Sequence, residues 1–263
     1  MLFGKIMPKC VVITGGSSGI GRALAVRYAG QGVTLGLVGR NKQRLDDVAS
    51  ICRGKGAIVS IGVLDVRERE QLATWLVAFN DEKPIELLIA NAGVMGGARD
   101  EEILEPNEGS RIIFETNIMG VLNTVQPILP RMMARRSGQI ALVSSLAGFI
   151  PLPDAPSYAA SKAAVLRYGL ALRTALLGTG IKLSVICPGY VTTPMSAQEK
   201  GWRPFEMPAE RAALLIKEGL LRDKAIIAFP RFLAFLTRIG GLLPERIRNF
   251  TGRWFRFKVE DNA

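Results

Sequence analysis

No histidine occurs among the 263 residues. That absence removes Ser-His-Asp triads, Cys-His pairs and most zinc chemistry, so no metal-ligating set is expected. Any acid–base work must use Tyr, Lys, Cys or carboxylates. Cysteine is scarce. Cys10, Cys52 and Cys187 are odd in number and far apart, which argues against a disulfide framework and fits a reducing, cytoplasmic setting. Cys10 and Cys187 fall in strand-like runs, where a thiol behaves as a small buried hydrophobe. No apolar run is long enough to span a bilayer. The opening "MLFGKIMPKC" passes straight into a strand-like segment and does not read as a signal peptide. Negative charge is in the minority: 23 acids against 34 cations leave a net charge of +11. Such a balance attracts anions, whether nucleotides, acyl carriers, nucleic acid or anionic lipid. Zinc-finger, RNP and basic-zipper patterns are missing, so a nucleic-acid partner is not expected.

What is present is a regular alternation. The strand candidates are "KCVVIT" (9–14), "VTLGLVG" (33–39), "AIVSIGVLDV" (57–66), "IELLIANAG" (85–93), "GQIALVSS" (138–145), "IKLSVICPG" (181–189) and "AIIAFP" (225–230). Helical patterns separate them, including one long stretch over about 108–136. Strands apolar on both faces and joined by helices imply a parallel sheet covered on both sides. Right-handed crossovers then give a doubly wound α/β fold of three layers and about seven strands. Ligands in such sheets sit at the carboxyl ends of the strands.

Two segments carry chemistry, one on a helix and one at a strand end. "SYAASK" (157–162) puts Tyr158 and Lys162 four positions apart, on one helix face and one turn apart. Taken alone, the pair is either ordinary helix surface or a phenol made acidic by a neighbouring cation. "TGGSSGIG" (14–21) follows the first strand and opens the first helix. Gly15, Gly19 and Gly21 permit a tight turn, and the backbone around Ser17, Ser18 and Ile20 can approach a pyrophosphate at a helix N-terminus. About twenty residues on, where NAD enzymes carry an acid for the ribose 2′-OH, the second strand ends in Gly39 and Arg40. With no carboxylate to repel a 2′-phosphate and a guanidinium able to clamp one, the cofactor reads as NADP(H). The plainer alternative makes Arg40 a solvated loop cation.

The spacing TGxxxGxG, with "NAG" (91–93), "ETNIMG" (115–120), "SYAASK" and "CPGYVTTPM" (187–195) in order, resembles the short-chain dehydrogenase/reductase family from about residue 9 to residue 230. The resemblance implies a Rossmann-like catalytic domain over 1–230, a nicotinamide cofactor and a homodimer or homotetramer. It puts Asp65 and Val66 near the adenine, although Asp65 could instead cap the following helix. It brings the Asn91, Ala92 and Gly93 backbone to the cofactor ribose. Pro188, Gly189, Val191 and Thr193 would meet the nicotinamide end, with Thr192 the near rival of Thr193. Tyr158 becomes the general acid, Lys162 binds ribose and lowers the phenol pKa, and Asn117 holds a proton relay. Ser145 hydrogen-bonds the carbonyl oxygen, with Ser144 the alternative because adjacent strand residues face opposite ways. A lowering by about three units would correspond to roughly 4 kcal/mol.

Expected pocket walls are Val94, Met95, Ser145, Leu146, Phe149, Leu152, Tyr190 and Met195. They are mostly apolar and fit a hydrophobic ketone or alcohol, such as a long-chain 3-oxo lipid. Residues 196–207 form an irregular stretch between strand and helix that reads either as a mobile lid or as a merely long connection. The segment 231–263 is basic and hydrophobic, with Arg231, Arg238, Arg246, Arg248, Arg253, Arg256 and Lys258 among apolar residues. It would pack over the cleft or a partner subunit, or lie through 231–258 against the inner face of an anionic membrane. The leading function is reduction of a carbonyl by NADPH. A nucleotide-binding sensor or scaffold without turnover is the alternative.

Overall fold

A computed structural model describes residues 7–98, 105–244 and 258–259. Seven parallel strands form one sheet: β1 (Cys10–Thr14), β2 (Thr34–Gly39), β3 (Ile58–Val63), β4 (Leu87–Ala90), β5 (Gly138–Val143), β6 (Ile181–Pro188) and β7 (Ile226–Phe229). Their order is β7-β6-β5-β4-β1-β2-β3. The chain changes winding direction between β1 and β4, which opens a crevice at the carboxyl ends of those two strands.

The apolar character of the strands follows from two cores, one on each sheet face. Val11, Ile13, Leu35, Leu37, Leu87 and Ile89 pack with residues of α1 (Gly19–Tyr28), α2 (Lys42–Gly54) and α8 (Ala209–Leu221). The alternate strand residues, including Val12, Leu88, Ile140 and Leu142, pack with α3 (Arg69–Glu82), α5 (Gly120–Val125) and α7 (Pro156–Ala175). Each fully buried Leu or Ile contributes about 1.5–3 kcal/mol. The edge strand β3 departs from this pattern: Ile58 and Val63, at its two ends, are exposed.

The expected helix over 108–136 is in fact three helices: α4 (Asn107–Phe114), α5 and α6 (Leu129–Ala134). A π-turn at Glu115–Met119 joins α4 to α5. Pro127 and Pro130 lack the amide hydrogens that a continuous helix would need, and the chain turns between α5 and α6. Beyond β7, α9 (Arg231–Gly240) buries Leu233 and Ala234 in the second core. Lys258–Val259 pairs antiparallel with Glu199–Lys200. Arg246, Arg248, Arg253 and Arg256 lie outside the described residues. No described helix is long and apolar enough to cross a membrane.

Candidate active site

The loop between β1 and α1 is closed by contacts that only glycine allows. Gly15 and Gly19 have φ of +65° and +52°, and a Cβ on Gly21 would stand 2.1 Å from Gly15 O. The neighbouring strand holds the loop in place. Asn91 N and Ala92 N donate to Thr14 Oγ1 at 3.1 and 3.2 Å, and Asn91 Nδ2 donates to Thr14 O and Gly15 O at 2.9 and 3.2 Å. The Asn91 side chain therefore fastens the glycine loop across the crevice. Thr14, at the last position of β1, was overlooked in the sequence because its role depends on a strand 77 residues away. Ser18 precedes α1 without a side-chain cap, and the first turn holds no acid. The helix thus presents free N–H groups and partial positive charge beside the cleft, as a bound pyrophosphate requires.

At the far end of the loop, Gly39 lies against Ser17: a Cβ there would be 3.3 Å from Ser17 Oγ. The Arg40 side chain is 65% exposed, with Nη1 3.8 Å from Asp65 Oδ2. Asp65 is held mainly by Arg67, whose Nη2, Nε and backbone N donate at 2.9, 3.1 and 3.0 Å. Burial raises the Asp65 pKa, but the Arg67 hydrogen bonds and the Arg67 and Arg40 charges outweigh it and leave the carboxyl below its usual range. Asp65 does not cap the next helix. It closes the turn before α3, whose N-terminal residue outside the helix is Glu68. Val66 is buried, and its carbonyl accepts from Asn123 Nδ2 at 2.9 Å.

The other side of the crevice gathers the candidate catalytic groups. Asn117 lies in the π-turn and is fully buried. Its Oδ1 accepts from Val94 N at 2.8 Å; its Nδ2 donates to Val94 O at 2.9 Å and to Ser161 Oγ at 3.0 Å. Widening the helix by one residue turns this carboxamide toward the β4 loop. Gly93 leaves room there, since a Cβ would lie 3.1 Å from Asn117 Oδ1 and 3.3 Å from Lys162 Nζ. Lys162 is buried on α7, donates to Val143 O at 3.2 Å, and lies 5.7 Å from the centre of the Tyr158 ring. Burial pushes its amine down to about 8, so it still carries its charge at neutral pH. The start of α7 is fixed by Glu105 Oε1, which accepts from Ser157 N at 2.7 Å and from Ser157 Oγ. Glu105 too was missed, lying 52 residues from its partner.

The two adjacent serines diverge. Ser144 is buried and donates to Lys162 O at 2.7 Å. Ser145 Oγ accepts from Ala147 N at 3.1 Å and faces Pro188 O at 3.4 Å. The threonines after β6 diverge as well. Thr192 donates to Glu206 at the surface, whereas Thr193 bonds Ser196 and stands beside Gly19.

A cleft of about 240 Å³ unites these parts. Its lining takes in Gly15, Ser18, Gly19 and Ile20 from the loop, Asn91, Ala92, Gly93 and Met95 after β4, and Ser145, Leu146 and Leu152 after β5. Tyr158 and Lys162 line it from α7, and Pro188, Gly189, Tyr190, Val191, Thr193 and Met195 after β6. Val94 and Phe149 are not on its wall. Val94 is tied back to Asn117, and the Phe149 ring lies under the Arg238 guanidinium at 4.9 Å. Ile150, Leu233 and Thr237 join the lining although the sequence reading did not choose them. The stretch 196–207 is fastened at its base by pairing of Val191–Thr192 with Met207–Pro208, and Arg203 donates to Ser196 O at 2.9 Å.

A family model described as short chain dehydrogenase matches residues 9–204. The chain belongs to the short-chain dehydrogenase family. It is 34% identical over 254 residues to 17-beta-hydroxysteroid dehydrogenase 13 of Rattus norvegicus, covering 92% of this chain and 82% of the relative. Among solved structures, a short-chain dehydrogenase of Sphingobium yanoikuyae in complex with NADPH superposes with a TM-score of 0.74 at 26% identity, covering 90% of this chain and 96% of the other. One from Mycobacterium paratuberculosis bound to NAD gives 0.74 at 25% identity, covering 86% and 96%. The protein is thus an oxidoreductase of this family with a site for a nicotinamide cofactor. The glycine cradle and the uncapped α1 N-terminus, lining one cleft with Tyr158 and Lys162, fit such a dinucleotide.

Proposed function

We propose that the protein interconverts a hydrophobic ketone and its secondary alcohol using NADP(H), in the reductive direction where NADPH is supplied. The observation that carries this reading is the shared cleft: Tyr158, Lys162 and Ser145 line the same cavity as the open N-terminus of α1. When bound, the reduced nicotinamide supplies the hydride for the carbonyl carbon. Tyr158 gives its phenolic proton to the carbonyl oxygen, while Ser145 donates a hydrogen bond to that oxygen as charge develops on it. The C=O double bond becomes a C–O single bond as new C–H and O–H bonds form, and the Tyr158 O–H bond breaks to leave a phenolate that must be reprotonated. Lys162 favours the phenolate by its charge and would hold the ribose. Asn117, fixed by Val94 and Ser161, would hold the relay returning a proton through Lys162.

Gly15, Ser17, Ser18, Gly19, Ile20 and Gly21 would cradle the pyrophosphate, and Arg40 the 2′-phosphate. Asp65 and Val66 would border the adenine. Asn91, Ala92 and Gly93 would lie along the ribose, and Pro188, Gly189, Val191 and Thr193 would grip the nicotinamide. Thr193, which lines the cleft beside Gly19, suits this better than Thr192, which turns to Glu206 at the surface. Met95, Leu146, Leu152, Tyr190 and Met195 make the substrate wall mostly apolar, which supports a hydrophobic carbonyl. The 17-beta-hydroxysteroid dehydrogenase name of one relative agrees with an apolar substrate. A homodimer or homotetramer completes the reading.

The test is an NADPH-oxidation screen over ketones of graded chain length. Turnover should rise with chain length. Absence of turnover across the series would reject the reductase.

A further inference from the structure

Helix α9 turns a second apolar face away from the protein. Its inward residues Leu233, Ala234 and Thr237 are buried, and Leu233 and Thr237 line the cleft. With about 100° of rotation per residue, Phe232, Phe235, Leu236 and Ile239 form one stripe on the opposite side. Phe232 and Phe235 are each 60% exposed, and Leu236 and Ile239 are exposed too. Leu242, just past the helix, extends the stripe at 86% exposure. Phe205 joins it from the segment before α8, its ring edge-on to Phe232 with centroids 5.9 Å apart. Contiguous exposed apolar surface of this kind marks a contact site.

Charge decides what the contact is. Arg231 and Arg238 border the stripe along one edge, and residues 231–244 contain no Asp or Glu. The sequence that follows, 245–263, adds five cations against three acids, Glu245, Glu260 and Asp261. Two copies meeting stripe to stripe would bring like charges together with no acid from either helix. Anionic headgroups would match that edge, while aromatic and aliphatic side chains enter the acyl boundary.

We propose that this face docks onto an anionic lipid surface and that a lipid ketone passes from that surface into the cleft. The second half rests on the reductase reading; the first does not. Because the inner side of α9 is cleft wall, a substrate leaving the acyl layer reaches the site along a single helix.

The test uses the full chain and two kinds of vesicle: phosphatidylcholine alone, and phosphatidylcholine with an equal part of phosphatidylglycerol. The parent should sediment with the anionic vesicles and about tenfold less with the neutral ones. The double variant Phe235→Asp, Ile239→Asp, both residues exposed and off the cleft wall, should lose about tenfold in affinity for anionic vesicles. It should keep the parent's circular dichroism and NADPH binding. A parent that stays in the supernatant with anionic vesicles overturns the proposal. So does a double variant that sediments like the parent, which would assign binding to another part of the chain. A double variant that changes oligomeric state in sedimentation velocity would assign the stripe to a second copy, and also overturns it. For substrate entry, a long-chain methyl ketone carried in anionic vesicles should show a KM about tenfold higher in the double variant, with a short soluble methyl ketone unchanged. Equal KM values for the vesicle-borne ketone would reject lipid delivery. Vesicle binding needs no turnover, so its failure leaves the reductase reading standing, and an inactive protein that binds vesicles fails only the latter.

Discussion

The Lys162 ammonium lies 5.7 Å from the centre of the Tyr158 ring, one turn along α7, and is tied to the end of β5 by its hydrogen bond to Val143 O. A buried cation is thereby held beside a half-buried phenol at the cleft wall. Four consequences can be measured.

The first concerns stability. Burial holds the Lys162 amine down to about 8, while an unfolded lysine titrates near about 10.4. Between these values the unfolded state binds the extra proton, so this group's contribution to stability rises with pH. Its penalty is fully present below about 8 and gone above about 10.4. The Cys10 and Cys187 thiols, pushed up to about 11 and about 12 mainly by burial, act in the opposite sense. The clean measurement is therefore a difference. In urea unfolding without cofactor, Lys162→Met should lose up to about 3 kcal/mol of its stability relative to the parent as pH rises through this window. A difference that stays constant with pH would contradict the burial account.

The second separates the two serines. Ser145→Ala should lower kcat by about 10²–10³, as removal of an oxyanion donor does. Ser144→Ala should instead cost about 1 kcal/mol of stability, through its bond to Lys162 O, and keep most turnover. Steady-state rates and urea midpoints of the two variants check this. The reverse ranking would assign the carbonyl contact to Ser144.

The strands and the glycine loop were legible because their evidence is local. Residues buried on both sheet faces read as apolar runs, and a glycine loop reads as its glycines. Tyr158 and Lys162 were legible for the same reason, being one turn apart on a single helix. Contacts across the fold were not. Thr14 holds Asn91 across 77 residues, and Glu105 fixes Ser157 across 52. The π-turn at Asn117 left no periodic trace, and the partner of its carboxamide, the Val94 backbone, is 23 residues away. Phe149 looked like pocket wall by its place after β5, but Arg238 from α9 covers its ring. The same helix brings Leu233 and Thr237 to the cleft, which depends on how 231–240 packs and not on its own pattern.

The third concerns the cofactor. The parent should bind NADPH at least about tenfold more tightly than NADH, and Arg40→Ala should remove most of that preference by losing a charge-assisted contact to the 2′-phosphate. Fluorescence titration of both cofactors decides it. Equal affinities in the parent would reject NADP(H) as the preferred cofactor.

The central claim is that the Tyr158 hydroxyl delivers the proton while the cofactor delivers the hydride. The most direct measurement is NADPH oxidation with a hydrophobic ketone by Tyr158→Phe, alongside its NADPH affinity. The account predicts affinity within about twofold of the parent and a kcat lower by about 10³ or more. A variant that turns over at close to the parental rate would contradict it.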